Sequence, residues 1–263
     1  MKGALLAALA LAAAAAATPV IPQEQMPALS PVCDAPSADI ATPAPLPRLT
    51  QRLEAKQQLR ILAIGSSSTW GVGATSHRKT YPSQLQAILQ SALKGARANI
   101  VNRGVSGEIA QTTAERLRTE VAIERPDVVL WQVGTNDALA RVPAHDFERT
   151  VASTIEWLKE NNIDVVIVGL QYTPKFARDD HYFAIREALR RAASGQDVPY
   201  VRRYDAMQFI AKAAGRPEMM TDDELHLNDT GYKCMAEHVA RAVIASLYLK
   251  RRDMPKPVAR PTP

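Results

Sequence analysis

Read as a string of apolar and polar positions, the chain alternates between two textures. Short runs in which nearly every residue is apolar occur at Leu59–Ile64, Asp127–Val133 and Asp164–Leu170. Such runs, without polar alternation, mark strands buried on both faces. Weaker runs at Ala98–Asn102 and Pro199–Arg202 bring the predicted strands to five. Between them the apolar residues fall three and four apart: Phe147, Val151, Thr154, Ile155 and Leu158 share one face of a helix over Phe147–Lys159. Further helices are expected near Pro82–Leu93, with Pro82 tolerated in the first turn, and near Ala110–Glu120, Tyr182–Ala193, Ala206–Ala214 and Asp229–Leu249. Strands alternating with helices make the sheet parallel and its crossovers right-handed. The expected fold class is therefore α/β, a three-layer α/β/α sandwich (flavodoxin-like) with about five parallel strands.

Proline sets the expected boundaries. Of 18 prolines, eight fall between Pro19 and Pro47 and four between Pro255 and Pro263. Residues 18–57 accordingly read as a Pro-rich linker or arm, 58–250 as the domain, and 251–263 as a loose basic tail. Residues 1–17 read as a signal peptide: Lys2 supplies the positive start, Leu5–Ala17 the apolar core and Ala15–Ala17 a small-residue cleavage site. The run is shorter than a membrane span of about 20 residues, although an uncleaved N-terminal anchor is the competing reading. Export to the periplasm or medium is the expectation, and it leaves two readings for Cys33 and Cys234: a disulfide pinning the arm across the domain, or two free thiols.

The first strand stops at Gly65-Ser66-Ser67-Ser68-Thr69-Trp70. A glycine permits a sharp turn there, at the carboxyl edge of a parallel sheet where ligands bind. Three more junctions carry polar residues: Val101-Asn102-Arg103-Gly104-Val105-Ser106-Gly107-Glu108, Gly134-Thr135-Asn136-Asp137, and Thr221-Asp222-Asp223-Glu224-Leu225-His226. All four belong at or beside one sheet edge.

Together these four blocks resemble, in order, those of the SGNH (GDSL-like) hydrolases, a family of serine esterases, lipases, acetylesterases and thioesterases. The resemblance covers roughly residues 59–249. It implies Ser67 as the nucleophile, with Ser66 and Ser68 as rivals. It implies His226 as the general base and Asp223, three residues earlier, as its orienting acid, with the adjacent Asp222 as the rival. Ser67 (through its N–H), Gly107 and Asn136 would form the oxyanion hole. The family's first block is Gly-Asp-Ser; here Ser66 replaces the aspartate, which puts the hydrogen-bond support of the turn in question rather than the reaction. The implied activity is hydrolysis of carboxylic esters through an acyl-enzyme and with no cofactor; the absence of a long insertion between the blocks favours short acyl groups, and the expected export favours acetylated carbohydrate as substrate. A non-catalytic carbohydrate- or partner-binding module on the same scaffold is the alternative.

Composition changes this picture little. A hydrophobic content of 46%, a charged content of 22% and a net charge of +5 fit an ordinary globular protein. No aromatic-interleaved basic stripe points to nucleic acid. His77, His145, His181 and His238 have no metal-ligand spacing, and the glycines at 71 and 73 fall short of a dinucleotide fingerprint. Trp70 is expected to line the acyl pocket and Trp131 to sit in the core.

Overall fold

The apolar runs pair into the parallel sheet that their pattern predicts. The computed structural model describes residues 26–93, 96–213 and 218–249. Its strands are β1 (Ala41–Thr42), β2 (Leu59–Gly65), β3 (Ala98–Gly104), β4 (Val128–Gln132), β5 (Asp164–Val168) and β6 (Tyr200–Val201). They lie in the order β1-β6-β5-β4-β2-β3. The five strands read from the sequence are parallel, and the short β1 adds an antiparallel edge to β6. Without β1 the strand order is that of the flavodoxin-like doubly wound sheets.

Successive residues of a strand face opposite sides, so each central strand feeds two cores. Ile61, Ala63, Val128, Leu130, Val166 and Val168 pack beneath α4 (Tyr81–Ala92) and α10 (Asp229–Leu247). Leu62, Ile64, Val129, Trp131, Val165 and Ile167 pack beneath α5 (Ala110–Glu124), α7 (Ala144–Glu160) and α8 (Asp180–Gly195). Trp131 is fully buried and belongs to the second core. The remaining helices are shorter: α1 (Ser37–Ile40), α2 (Pro47–Glu54), α3 (Ser67–Trp70), α6 (Thr135–Leu139) and α9 (Arg203–Lys212).

The proline-rich stretch departs from the extended arm expected of it. From residue 26 onward it is packed against the sheet, and Cys33, Ile40, Leu46 and Leu49 are buried in the first core. Proline misleads here because it opens short elements as readily as it interrupts long ones: Pro31 begins a 3-10 turn and Pro47 is the first residue of α2. Two carboxylates at the amino ends of β4 and β5 hold α2 down. Asp164 Oδ2 accepts from the Leu49 N–H at 2.8 Å. Asp127 Oδ1 accepts from Arg52 Nε at 2.7 Å and lies 3.3 Å from Arg48 Nε, while Oδ2 takes the Arg60 N–H at 3.1 Å. Burial pushes the Asp127 carboxyl up, but the hydrogen bonds from Arg52 and Arg60 outweigh it and leave the group below its ordinary range.

A disulfide joins Cys33 to Cys234 in α10, 201 residues away. Around it the Ser30 N–H and hydroxyl donate to the Glu237 carboxylate at 2.8 and 2.9 Å, and His238 Nε2–H donates to the Cys33 carbonyl at 2.7 Å. The segment 1–17 and the tail 251–263 lie outside the described residues. Among the described residues no helix is long and apolar enough to cross a membrane.

Because the disulfide closes so long a loop, its removal is expected to cost up to about 5 kcal/mol by loss of constraint on the unfolded chain. Thermal unfolding with and without reductant, and of the Cys33→Ala/Cys234→Ala variant, should show Tm falling by roughly 10 °C or more. An unchanged Tm would mean that the cross-link does not constrain the unfolded state.

Candidate active site

Each polar block follows the carboxyl end of a strand or precedes a helix, and the parallel register brings the loops together. β2 ends at Gly65, whose φ of +148° and close approach to the Gln132 carbonyl leave no room for a side chain. Ser66 then caps α3 through its carbonyl, which accepts the N–H groups of Thr69 and Trp70 at 2.9 and 3.0 Å.

Burial separates the three serines. Ser66 is 5% exposed, and both its N–H and its hydroxyl donate to Gln132 Oε1 at 3.0 Å. Ser68 is 4% exposed, with its hydroxyl 3.4 Å from Gln171 Oε1 and 3.2 Å from Arg203 Nη2. Ser67 is half-buried, and among the described residues its hydroxyl and its N–H have no hydrogen-bond partner. Ser66, at the position where the resemblance expects an aspartate, thus holds the turn through Gln132. A second brace comes from Asn102, whose Nδ2 donates to the Thr69 carbonyl at 2.7 Å while its Oδ1 accepts the Gly104 N–H at 2.9 Å.

Gly107 lies beyond the end of β3 with φ +84°, its Cα facing open space and its N–H without an acceptor among the described residues. The loop that carries it is fixed by Glu108, which takes Arg116 Nε and Nη2 at 2.6 and 2.7 Å and the Thr113 hydroxyl at 3.0 Å. Asn136, in α6, donates from Nδ2 to the Glu108 carbonyl at 2.8 Å. One N–H of the amide is therefore spent on the Gly107 loop, which orients the group and leaves a second N–H for a ligand.

On the fourth loop, His226 Nδ1 lies 2.6 Å from Asp223 Oδ2. Asp223 Oδ1 accepts the Leu225 and His226 N–H groups, each at 2.8 Å, and the Thr221 hydroxyl at 2.7 Å. The His226 N–H, then the His226 ring, hold this carboxyl far below the usual carboxylate range. Asp222, the rival acid, is exposed and makes none of these bonds. Asn228 caps α10 just beyond, accepting the Gly231 N–H at 3.0 Å.

The serine and histidine loops are packed against one another. The segment after α3 meets the start of α10: the Thr75 N–H and hydroxyl donate to Asp229 at 2.9 and 2.6 Å, and the Tyr232 hydroxyl donates to the Val72 carbonyl at 2.6 Å. Gly73 lies against the Leu227 carbonyl, one residue beyond His226. Gln171, after β5, touches both loops, with Oε1 at Ser68 and Nε2 donating to the Leu225 carbonyl. Trp70, 62% exposed, stands one helical turn beyond Ser67 on the rim.

Residues 32–248 match the Non-GDSL lipase-like family. The chain belongs to that family. It is 25% identical over 191 residues to an arylesterase of Vibrio mimicus, covering 72% of this chain and 90% of the relative. It is 23% identical over 195 residues to the thioesterase 1/protease 1/lysophospholipase L1 of Escherichia coli, covering 73% and 86%. Among solved structures, a two-domain esterase active on acetylated mannans superposes with TM-score 0.68 at 19% identity, over 86% of this chain and 60% of that one. The protein is an SGNH/GDSL-like serine ester hydrolase.

Within this Non-GDSL lipase-like site the sequence reading passed over four side chains. Gln132 and Gln171 interrupt or follow apolar strands, which is a signal of a buried polar role. Asp137 sits beside Asn136 and accepts the Ala110 N–H at 2.8 Å, tying α6 to the start of α5. Arg203 gave no signal. Among the described residues no three His, Cys, Asp or Glu side chains are grouped to hold a metal ion.

Asp137 is 1% exposed, its Oδ2 has no hydrogen-bond partner among the described residues, and burial raises its carboxyl to about 6. A raised folded-state value means that ionisation works against folding, with the penalty growing as pH rises from about 4 to about 6. Asp137→Asn keeps an acceptor for Ala110. Its stability relative to the wild type should therefore increase by about 3 kcal/mol between pH 4 and pH 7 in chemical unfolding. A pH-independent difference would show that Asp137 does not titrate in this interval.

Proposed function

We propose that this ester hydrolase works through Ser67, His226 and Asp223 on carboxylic esters of short acyl chain, acetylated carbohydrate among them, after export from the cytoplasm. The observation that carries the assignment is that, among the described residues, Ser67 alone of three consecutive serines keeps a free, half-exposed hydroxyl, on a loop packed against the one bearing the Asp223–His226 pair. Ser67 Oγ attacks the ester carbonyl as His226 Nε2 takes its proton. Asp223 accepts from Nδ1–H, which fixes the ring tautomer and favours the imidazolium. The N–H groups of Ser67 and Gly107, and the second amide N–H of Asn136, would receive the negative charge on the carbonyl oxygen. His226 returns the proton to the departing alcohol, and water then releases the acid from Ser67.

Two lines support the substrate class. The relatives' names, an arylesterase and a thioesterase 1/protease 1/lysophospholipase L1, support ester hydrolysis without fixing chain length, and a structural neighbour spanning most of this chain, an esterase active on acetylated mannans, supports the small acyl group. The open approach at Gly107 and the exposed Trp70 suit a bulky alcohol carrying a small acyl group. The export reading rests on the residue pattern of the segment 1–17 and fits a cross-linked Cys33–Cys234 pair.

Hydrolysis of p-nitrophenyl acetate, butyrate and octanoate should be fastest with the acetate, and Ser67→Ala should lose at least about 10³ in kcat/KM while its circular dichroism stays that of the wild type. Equal rates in both proteins would return the molecule to the ligand-binding alternative. Asp223→Asn should lower kcat by about 10³–10⁴ through the wrong histidine tautomer. Because hydrogen bonds from His226 hold the Asp223 carboxyl far below the usual carboxylate range, Asp223 should contribute no proton to the acid limb of the wild-type kcat/KM profile down to about pH 4; a slope of two on that limb would contradict this.

A further inference from the structure

Arg203, the first residue of α9, is buried to 2% exposure, and no carboxylate lies within ion-pair distance among the described residues. Its neighbour Arg202 behaves as arginines on surfaces do, with Nε 2.9 Å from Asp205. Arg203 instead turns inward. Nη2 donates to Gln171 Oε1 at 2.7 Å and to the Ser68 hydroxyl at 3.2 Å. Among the described residues Nε and Nη1 have no hydrogen-bond partner. Burial lowers the guanidinium to about 10, so it stays protonated at neutral pH. A buried cation without a counter-ion is among the costliest arrangements a fold can hold, and an apolar side chain would serve packing better.

What the cation touches explains its retention. Ser68 follows Ser67 in α3. Gln171 reaches through Nε2 to the Leu225 carbonyl, the residue before His226. Tyr182 fixes Gln171 from behind, donating its hydroxyl to the Gln171 carbonyl at 2.6 Å, and Thr173 donates to the Glu224 carbonyl at 2.8 Å on the same loop. One guanidinium nitrogen thus serves as the junction between the turn carrying Ser67 and the loop carrying His226. The two loops come from opposite ends of the chain and share no strand.

We propose that Arg203 is a positioning residue for ester hydrolysis, which acts through Ser68 and Gln171 to hold Ser67 in register with His226. It touches neither substrate nor reacting atoms. The proposal rests on Ser67 and His226 being nucleophile and base. A misplacement of about 1 Å between such groups costs roughly 10² in rate, so the effect falls on kcat rather than on substrate binding.

The test measures kcat and KM on p-nitrophenyl acetate for Arg203→Met, Arg203→Lys, Ser68→Ala and Ser67→Ala. Arg203→Met should lose about 10² in kcat with KM changed less than about threefold, and Arg203→Lys, which keeps the charge and a donor, should recover at least about tenfold of that loss. If Arg203→Met does not fold, the cycle of Ser68→Ala with Arg203→Lys decides: coupled losses in kcat support the junction, and strictly additive ones overturn it. A folded Arg203→Met with kcat within about threefold of the wild type overturns the inference, as does a lysine variant no better than the methionine one. An active Ser67→Ala would sink the underlying assignment instead, and a dead Ser67→Ala beside an active Arg203→Met would sink this inference alone.

Discussion

One carbonyl oxygen, Gln132 Oε1 at the end of β4, accepts both the backbone N–H and the hydroxyl of Ser66, and the shape of the site follows from that contact. Where β2 stops, its backbone must leave the sheet inside the protein, and a buried donor left without a partner there would be costly. The glutamine satisfies Ser66, which frees the chain to turn at Gly65 and presents Ser67 outward. The same demand recurs along the edge. Asn136 satisfies the Glu108 carbonyl, Asp137 the Ala110 N–H, and Gln171 the Leu225 carbonyl. Side-chain amides and carboxyls at the strand ends stand in for the ladder that the departing strands lose, and the loops they hold are those to which the proposed chemistry is assigned.

The opposite edge is built by the same means for another purpose. Asp127 and Asp164, at the amino ends of β4 and β5, bind the arginines and the first turn of α2. The Cys33–Cys234 bond and the Ser30–Glu237 contacts then strap the start of the domain to α10. Since α10 begins just after His226, the strap steadies the element from which the histidine loop departs, at a distance from the reacting atoms.

The strands and long helices could be read from the sequence because burial on two faces, or on one stripe, forces a pattern. The short helices α3 and α6 could not, since four or five residues rich in Ser, Thr and Asn carry no period. Residues 26–54 were misread because proline density resembles a linker until the apolar partners between the prolines are counted. The four polar blocks were legible by resemblance, as neither spacing nor composition brings Ser67 to His226. Ser67 is favoured over Ser66 and Ser68 by its place after Gly65 alone; the burial of Ser66 and Ser68, invisible in a run of identical residues, supports that choice. Arg203 was invisible for a similar reason, being half of an Arg-Arg pair whose other member is an ordinary surface cation.

The account stands on one hydroxyl among three neighbours being the reactive one. Treatment of the folded protein with a fluorophosphonate, followed by tandem mass spectrometry of the peptide spanning residues 61–78, reads this directly. The account expects a single adduct, on Ser67, with complete loss of esterase activity. An adduct on Ser66 or Ser68, or inactivation with this peptide unmodified, would contradict it.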